Sequence, residues 1–371
     1  VILNKNHSKA LDDGRIVEKN SFRRSNYFEH VGNECTHVNK KVGLLDMSAF
    51  AKCVVKGSGA EAWLEYIFAN KMPKAIGRIS LVHMLSLNGG VRAEFTVYKT
   101  GPQSYYLVSA GAFETHDHDY LFKLVPKDGS VNIQRVTTQT GVLVVAGPKS
   151  RDVLQKLTDT DLSNESFKWL TGKKINVGSA TAEALRVNFV GELGWELHHP
   201  IEMQNYIFDK VMEAGSEFDI KPFGIRAMDS MRLEKSYRLI PREMSIEYSA
   251  FESGLDRFVR LDKEEDFIGK TALSQWQDTG PTNGFVTMEV LGIVDADARG
   301  SEAIYKDGEV VGRATSGGYG WRCGKSLALG LVRLELAAIG TELEIEILGE
   351  KYKAIVIEES PFDPTNECLR S

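Results

Sequence analysis

Two rhythms of hydrophobic and polar positions run along this chain. Ala51–Lys56 (AKCVVK) alternates with period two, which predicts a strand with Cys53 on its inward face. The Gly57-Ser58-Gly59-Ala60-Glu61-Ala62 turn then opens a helix with Trp63, Leu64, Ile67 and Phe68 on one side. Residues 79–98 predict two strands around Asn88-Gly89-Gly90, a sequence suited to a tight hairpin. A strand over 105–110 and a helix through Tyr120 and Leu121 come next. A strand over 141–146, a turn at Pro148 and a helix over 150–157 follow. Residues 185–190 and 195–198 flank Gly191-Glu192-Leu193-Gly194 and predict a second hairpin. Met203, Ile207, Val211 and Ala214 share the inner face of a helix that stops at Gly215, and another helix covers about 225–237.

The two ends of the chain have other textures. The first 40 residues are polar and irregular and predict an extended arm. Residues 275–284 (QWQDTGPTNG) are rich in turn formers and mark a boundary. Beyond them short strands dominate, over 284–290, 303–305, 309–314, 327–334, 342–347 and 351–357, which predicts a small β-barrel or sandwich. The class is α+β, with no internal repeat.

Composition narrows the function. With 371 residues, 42% hydrophobic and 26% charged, the chain is long enough for several domains. Forty-five basic and 51 acidic residues give −6, and no basic block is interleaved with aromatics, so no nucleic-acid partner is expected. Apolar runs such as 141–147 are too short to cross a bilayer, so no membrane partner is expected, and no secretory signal opens the sequence. The sequence begins at Val1, as a processed chain or a piece of a longer one would. Cys35, Cys53, Cys323 and Cys368 are far apart and read as reduced thiols, which fits the cytoplasm or, in a eukaryote, the mitochondrial matrix.

Several chemical signals read as structure. The 57–62 turn lacks the βαβ context of a dinucleotide site. His116 and His118 diverge on a helix and cannot share a metal, and His198-His199 reads as structural strand sequence. Two carboxylates in glycine-flanked hairpins stand out instead. Glu94 shares a strand face with Arg92 and Thr96, opposite Val91, Ala93, Phe95 and Val97, and Glu196 sits between Trp195 and Leu197.

The ordered segments VGLLDMSAF, GRISLVHMLSLNGGVRAEFTV, VVAGPKSRDVL, FVGELGWELH, DSMRLEKSYR, FESGLDRFV, FIGKTAL and GRATSGGYGWRCGKSLALGLV are similar to the glycine-cleavage T-protein (aminomethyltransferase) family. Within it they resemble most the folate-binding half of dimethylglycine and sarcosine dehydrogenases. The resemblance implies a three-domain cloverleaf with tetrahydrofolate as cofactor. It places 1–50 (with the arm 1–40) and 142–240 in a folate-binding domain, 51–141 and 241–275 in a second domain carrying Glu94, and 276–371 in a C-terminal β-barrel. It implies Glu94 as the catalytic carboxylate, and Glu196, Phe189, Trp195, Ser109, Tyr106, Arg232 and Arg322 as cofactor-binding residues. A carboxylate suits the paired N–H donors of a pterin. Thr315-Ser316-Gly317-Gly318 falls in the family's folate-facing loop.

Departures from the family pattern favour the dehydrogenase-like branch. Glu94 stands where T-proteins carry aspartate, Phe189 replaces a tyrosine, Ser109 an asparagine, and Ala227-Met228-Asp229 lacks the usual arginine. The implied reaction moves a methyl or methylene group from a small methylated donor such as dimethylglycine, sarcosine or glycine betaine to tetrahydrofolate. The alternatives are a dimethylsulfoniopropionate-type sulfonium donor or a non-catalytic folate-binding protein of the same fold. The branch also implies an FAD-dependent oxidase as partner or parent chain, although no FAD fingerprint is present in this sequence. A non-catalytic folate binder of the same fold would carry a cysteine motif near 238–244, where this chain reads RLIPREM.

Overall fold

A computed structural model of the chain describes residues 21–371. Residues 1–20 of the expected arm lie outside the described part, and the remainder is not irregular, because it contains helix α1 (Phe28–Lys40). Val31, Cys35 and Val38 recur at helical spacing and are buried. Gly32 lets α1 approach the Trp321 ring, which a Cβ there would meet at 2.5 Å.

The chain continues through β1 (Gly43–Asp46), β2 (Ala51–Lys56), α2 (Ala60–Ile67), β3 (Ile79–Leu85), β4 (Val91–Gly101) and β5 (Ser104–Ser109). Next come α3 (Glu114–Lys123), β6 (Asn132–Arg135), β7 (Thr140–Ala146), α4 (Ser150–Gln155), β8 (Gly172–Val177), β9 (Ala180–Leu185) and β10 (Gly194–Pro200). Helix α5 (Gln204–Gly215), β11 (Lys221–Pro222), α6 (Ile225–Glu234) and α7 (Lys270–Thr279) lead to the last strands. These are β12 (Asn283–Val290), β13 (Ala303–Lys306), β14 (Glu309–Gly320), β15 (Lys325–Arg333), β16 (Glu342–Ile347) and β17 (Glu350–Ile357).

Most sequence-predicted elements are present, with three differences. The strand expected over 185–190 ends at Leu185, and the next residues form a loop pinned by Asn188. Helix α7 runs to Thr279, because Leu273 is buried and Trp276 packs beside it, so the linker is shorter than 275–284. The glycine-rich 315–320 stretch is not a loop but the second half of β14.

The strands form a six-stranded sheet in the order β11-β1-β7-β10-β9-β8, a five-stranded sheet β3-β4-β5-β2-β6, and a closed barrel β12-β15-β14-β13-β16-β17. Each has its own hydrophobic core. In the first sheet Leu143, Val145, Trp195 and Leu197 point toward α4 and α5. In the second, Phe95, Val97, Leu107, Cys53 and Val55 point toward α2 and α3. The other faces of the two sheets meet, where Ile79, Tyr98 and Tyr106 pack on Leu185. Tyr98 donates to Glu183 Oε2 at 3.0 Å across this seam.

Two segments stitch the modules together. Near the start, Arg24 binds Asp297 bidentately and donates to Ser326 and the Val294 carbonyl, reaching the barrel. After β17 the tail returns over α6 and the first sheet. Arg238 pairs with Glu359, Lys235 Nζ donates to the Phe362 and Asp363 carbonyls, and Arg186 donates to the Arg370 and Ser371 carbonyls. No helix among the described residues is long and apolar enough to cross a membrane.

Helix α1 docks on α6 through Glu34, whose Oε2 accepts the Gly224 N–H at 2.8 Å. Burial pushes the Glu34 carboxyl up to about 7 from its ordinary 4.5, against the stabilising amide contact. A carboxyl whose pKa is raised by folding favours the folded state at low pH and loses that advantage as pH rises. Glu34→Gln keeps the acceptor for Gly224. It should match the wild type in denaturant midpoint below about pH 4.5 and exceed it increasingly up to about pH 7. An unchanged difference across that range would mean Glu34 stays solvated.

Candidate functional site

Strand alternation decides which predicted residues can meet. On β4, Glu94 and Thr96 point away from the Phe95 face, together with His83 on β3 and with Tyr106, Val108 and Lys52 on β5 and β2. On β10, Glu196 and His198 point away from the Trp195 face, together with Val142, Val144 and Glu183. These are the two faces that meet in the seam, so Glu94, Tyr106 and Glu196 all leave their strands toward the opposing sheet.

Each carboxylate is held by a buried histidine. His83 Nε2 lies 3.0 Å from Glu94 Oε2, with His83 fully buried, its ring 5.3 Å from Phe258 and its Nδ1 unpartnered. Glu94 itself keeps a quarter of its side-chain surface open. His198 Nε2 lies 3.1 Å from Glu196 Oε2, and His198 Nδ1 lies 3.0 Å from the Tyr106 hydroxyl. The sequence reading missed both histidines as site residues. His83 meets Glu94 through the register of the predicted hairpin, and His198 lies two residues from Glu196 on one strand face, so both pairings could have been found from local pattern; the Tyr106 partner of His198 is set by the meeting of two sheets. Lys52 was missed too. It is buried, donates to the Ser48 carbonyl at 2.8 Å, and burial pushes its ammonium down to about 8 against the pull of Asp46, Glu114 and Glu196.

Other predicted residues stand elsewhere. Trp195 is a correction. It is fully buried on the far face of β10, with the guanidinium groups of Arg151 and Arg186 each 5.6 Å from its ring, and faces the core rather than the seam. Adjacent strand residues point to opposite sides, so Trp195 and Glu196 cannot line one pocket. Ser109 ends β5 on the Leu107 side by the same alternation, opposite the Glu94 face. Phe189 lies on the β9–β10 loop, half-buried, with its ring 5.4 Å from that of Tyr237.

Arg232 and Arg322 are spent on internal partners. Arg232 donates to Asp229, the Tyr237 carbonyl and Ser316 Oγ, and lies 3.5 Å from Glu243. Arg322 donates to Glu234 at 2.5 Å, Glu192 at 2.7 Å, the Val190 carbonyl at 2.9 Å and the Met231 carbonyl at 2.7 Å, and its guanidinium lies 3.8 Å over the Phe362 ring. Thr315 and Ser316, expected in a folate-facing loop, are buried against Glu243 and Arg232. His116 bonds Asp117 and Arg92, and no metal-binding cluster exists among the described residues.

Two mixed α/β modules meeting at a seam, with a closed barrel beside them, define a known architecture. Residues 5–263 match the model for the GCVT N-terminal domain, and residues 284–363 match the glycine cleavage T-protein C-terminal barrel domain. The chain belongs to the glycine-cleavage T-protein family, whose aminomethyltransferases are enzymes that transfer one-carbon units with tetrahydrofolate. It is 41% identical over 353 residues to human mitochondrial dimethylglycine dehydrogenase, covering 94% of this chain and 40% of that protein. It is 31% identical to the aminomethyltransferase of Geobacillus thermodenitrificans, covering 94% of each. The chain spans about two fifths of the length of the dimethylglycine dehydrogenases it matches. The glycine cleavage system aminomethyltransferase T of Bartonella henselae shares the fold, with a TM-score of 0.80 at 21% identity over 90% of each chain.

Arg322→Met removes the partner of two buried carboxylates, Glu192 and Glu234. Breaking such a pair typically costs about 3–5 kcal/mol. Chemical denaturation should show a loss of that order. A change below about 1 kcal/mol, the level of a surface pair, would mean that water replaces the guanidinium.

Proposed function

We propose that this chain transfers a methyl or methylene group to tetrahydrofolate held in the seam between the two sheets. The donor is a small methylated amine of the dimethylglycine, sarcosine or glycine betaine type. One observation carries the reading: Glu94 and Glu196, from separate sheets, both face the seam, and each has one oxygen bonded to a histidine and the other without a protein partner among the described residues. That pair of acceptors fits tetrahydrofolate, which presents both an N–H edge on its pterin and secondary amines.

When bound, tetrahydrofolate supplies the amine nitrogen that accepts the carbon. Glu196 holds the pterin edge through its unbonded Oε1, a carboxylate being the matching acceptor for adjacent N–H donors. Glu94 stands on the reacting side. Its Oε1 offers a place to hold a proton released as an amine attacks, and its charge offsets developing positive charge nearby. The buried His83 fixes Oε2, so the free oxygen is presented in one orientation. Phe189 and Tyr237 add an aromatic wall at the β9–β10 loop. An oxidised donor would come from an FAD-dependent oxidase, as a separate partner or as part of the same polypeptide.

The donor is tested by incubating the protein with tetrahydrofolate and each candidate and weighing the product. Methyltetrahydrofolate means direct demethylation; with an FAD-dependent amine oxidase added, methylenetetrahydrofolate means capture of the oxidised carbon, and no product from any amine with or without that oxidase removes the proposed donor class. Glu94→Gln keeps size but removes charge. Turnover should fall by ~10²-fold or more with folate affinity little changed. Full activity in that variant would take Glu94 out of the mechanism. Glu196→Gln should weaken tetrahydrofolate binding by calorimetry by about 1.5–3 kcal/mol, the value of hydrogen bonds to a charged group.

A further inference from the structure

The strongest unassigned feature is the group of buried polar side chains that crosses the seam. It starts at the Tyr106 hydroxyl on β5 of the second sheet and passes through both ring nitrogens of His198 to the Glu196 carboxylate on β10 of the first. His198 is 4% exposed and Glu196 8%, so water does not readily substitute for either, while Tyr106 is half-buried. The Tyr106 ring also meets the His198 ring edge-on at 5.3 Å, which fixes both planes.

The direction of this chain follows from donor and acceptor chemistry. An ionised carboxylate only accepts, so the proton between His198 and Glu196 belongs to Nε2. With Nε2 carrying the proton in a neutral ring, Nδ1 must accept, and the Tyr106 hydroxyl must donate to it. Burial and the nearby Glu196 raise the pKa of the Tyr106 phenol, which therefore stays protonated and remains a donor. Every group in the chain then has a compatible role, and only the Glu196 Oε1 atom is left for a ligand.

We propose that Tyr106 and His198 are positioning residues: Tyr106 anchors the His198 ring, whose tautomer Glu196 sets, and the anchored ring aims Glu196 at its ligand across the seam. The inference rests on the reading of Glu196 as the folate-binding carboxylate. It adds that the second sheet helps to shape a binding group carried by the first. Without the Tyr106 hydroxyl, Nδ1 would lose its donor. Glu196 would still hold the proton on Nε2, but the ring would lose the hydrogen bond that anchors its other side, and the carboxylate would lose its fixed rotamer.

The test uses the full chain with its histidines labelled with nitrogen-15, with tetrahydrofolate as the probe ligand. In the ligand-free protein, the wild-type His198 ring should show a single neutral tautomer protonated at Nε2. Tyr106→Phe keeps the ring contact and the fold, to be checked by its melting temperature. It should shift the His198 Nδ1 nitrogen-15 signal, because Nδ1 loses its donor while Glu196 keeps the proton on Nε2, and bind tetrahydrofolate about twofold to tenfold more weakly, the span of one neutral hydrogen bond. His198→Leu, which removes the donor to Glu196 altogether, should weaken binding further. A wild-type His198 protonated at Nδ1, or doubly protonated, overturns the proposal, as does unchanged affinity in Tyr106→Phe. Glu196→Gln separates the two levels. If it leaves affinity intact, the folate reading of Glu196 fails. If it weakens binding while Tyr106→Phe does not, only the proposed relay fails.

Discussion

One buried guanidinium holds the parts of this molecule in register. Arg322 sits on the turn between β14 and β15, yet its donors reach the C-terminal end of α6 and the β9–β10 loop. Glu192 in that loop also accepts from Asn39 at the end of α1. Burial raises the Glu192 carboxyl pKa, which Arg322 and Asn39 only partly offset, so the interaction is a constraint on geometry more than a source of stability. Both carboxylates are nearly inaccessible to water, so any displacement of the barrel strands them uncompensated. Gly191 in the same loop has φ +77° and lies where a Cβ would strike Lys235, so the loop has little freedom of its own.

That fixed frame explains how a site can be assembled from two sheets. Each sheet spends one face on its own helices; the other face of the first sheet is covered by α1 and α6 over β1 and β7 and turned to the second sheet at the end of β9. A seam lined only with apolar groups would bury more surface but bind nothing specific. This one instead carries Tyr98–Glu183, Tyr106–His198 and His83–Glu94, polar pairs whose members are matched in donor and acceptor character. The matched pairs leave a few acceptor atoms open.

Much of this was legible in the sequence, at the level of local pattern. Period-two alternation over 91–97 put Glu94 opposite Phe95, and the register confirms that face. The same rule, applied to β10, should have removed Trp195 from the binding set; the family resemblance outweighed it. Helix α1 was hidden because its buried stripe is made of Val31, Gly32, Cys35 and Val38, small side chains scattered through a polar stretch. His83 and His198 were passed over although hairpin alignment faces His83 with Glu94 and alternation puts His198 on the Glu196 side; only the Tyr106 contact, made across the seam, was beyond sequence spacing. Arg232 and Arg322 were expected to bind the cofactor, and their charge is met inside the protein.

The stitching segments have a topological consequence. Arg23 and Arg24, early in the described chain, grip the barrel, while residues after the barrel grip α6 and the first sheet. The covalent path therefore leaves the first module, visits the others and is tied back at both extremes, much as a belt is threaded and buckled. Modules connected only by linkers can breathe and melt one at a time. Here the barrel cannot swing away unless both ties are undone, so the three modules should open and close as one cooperative unit.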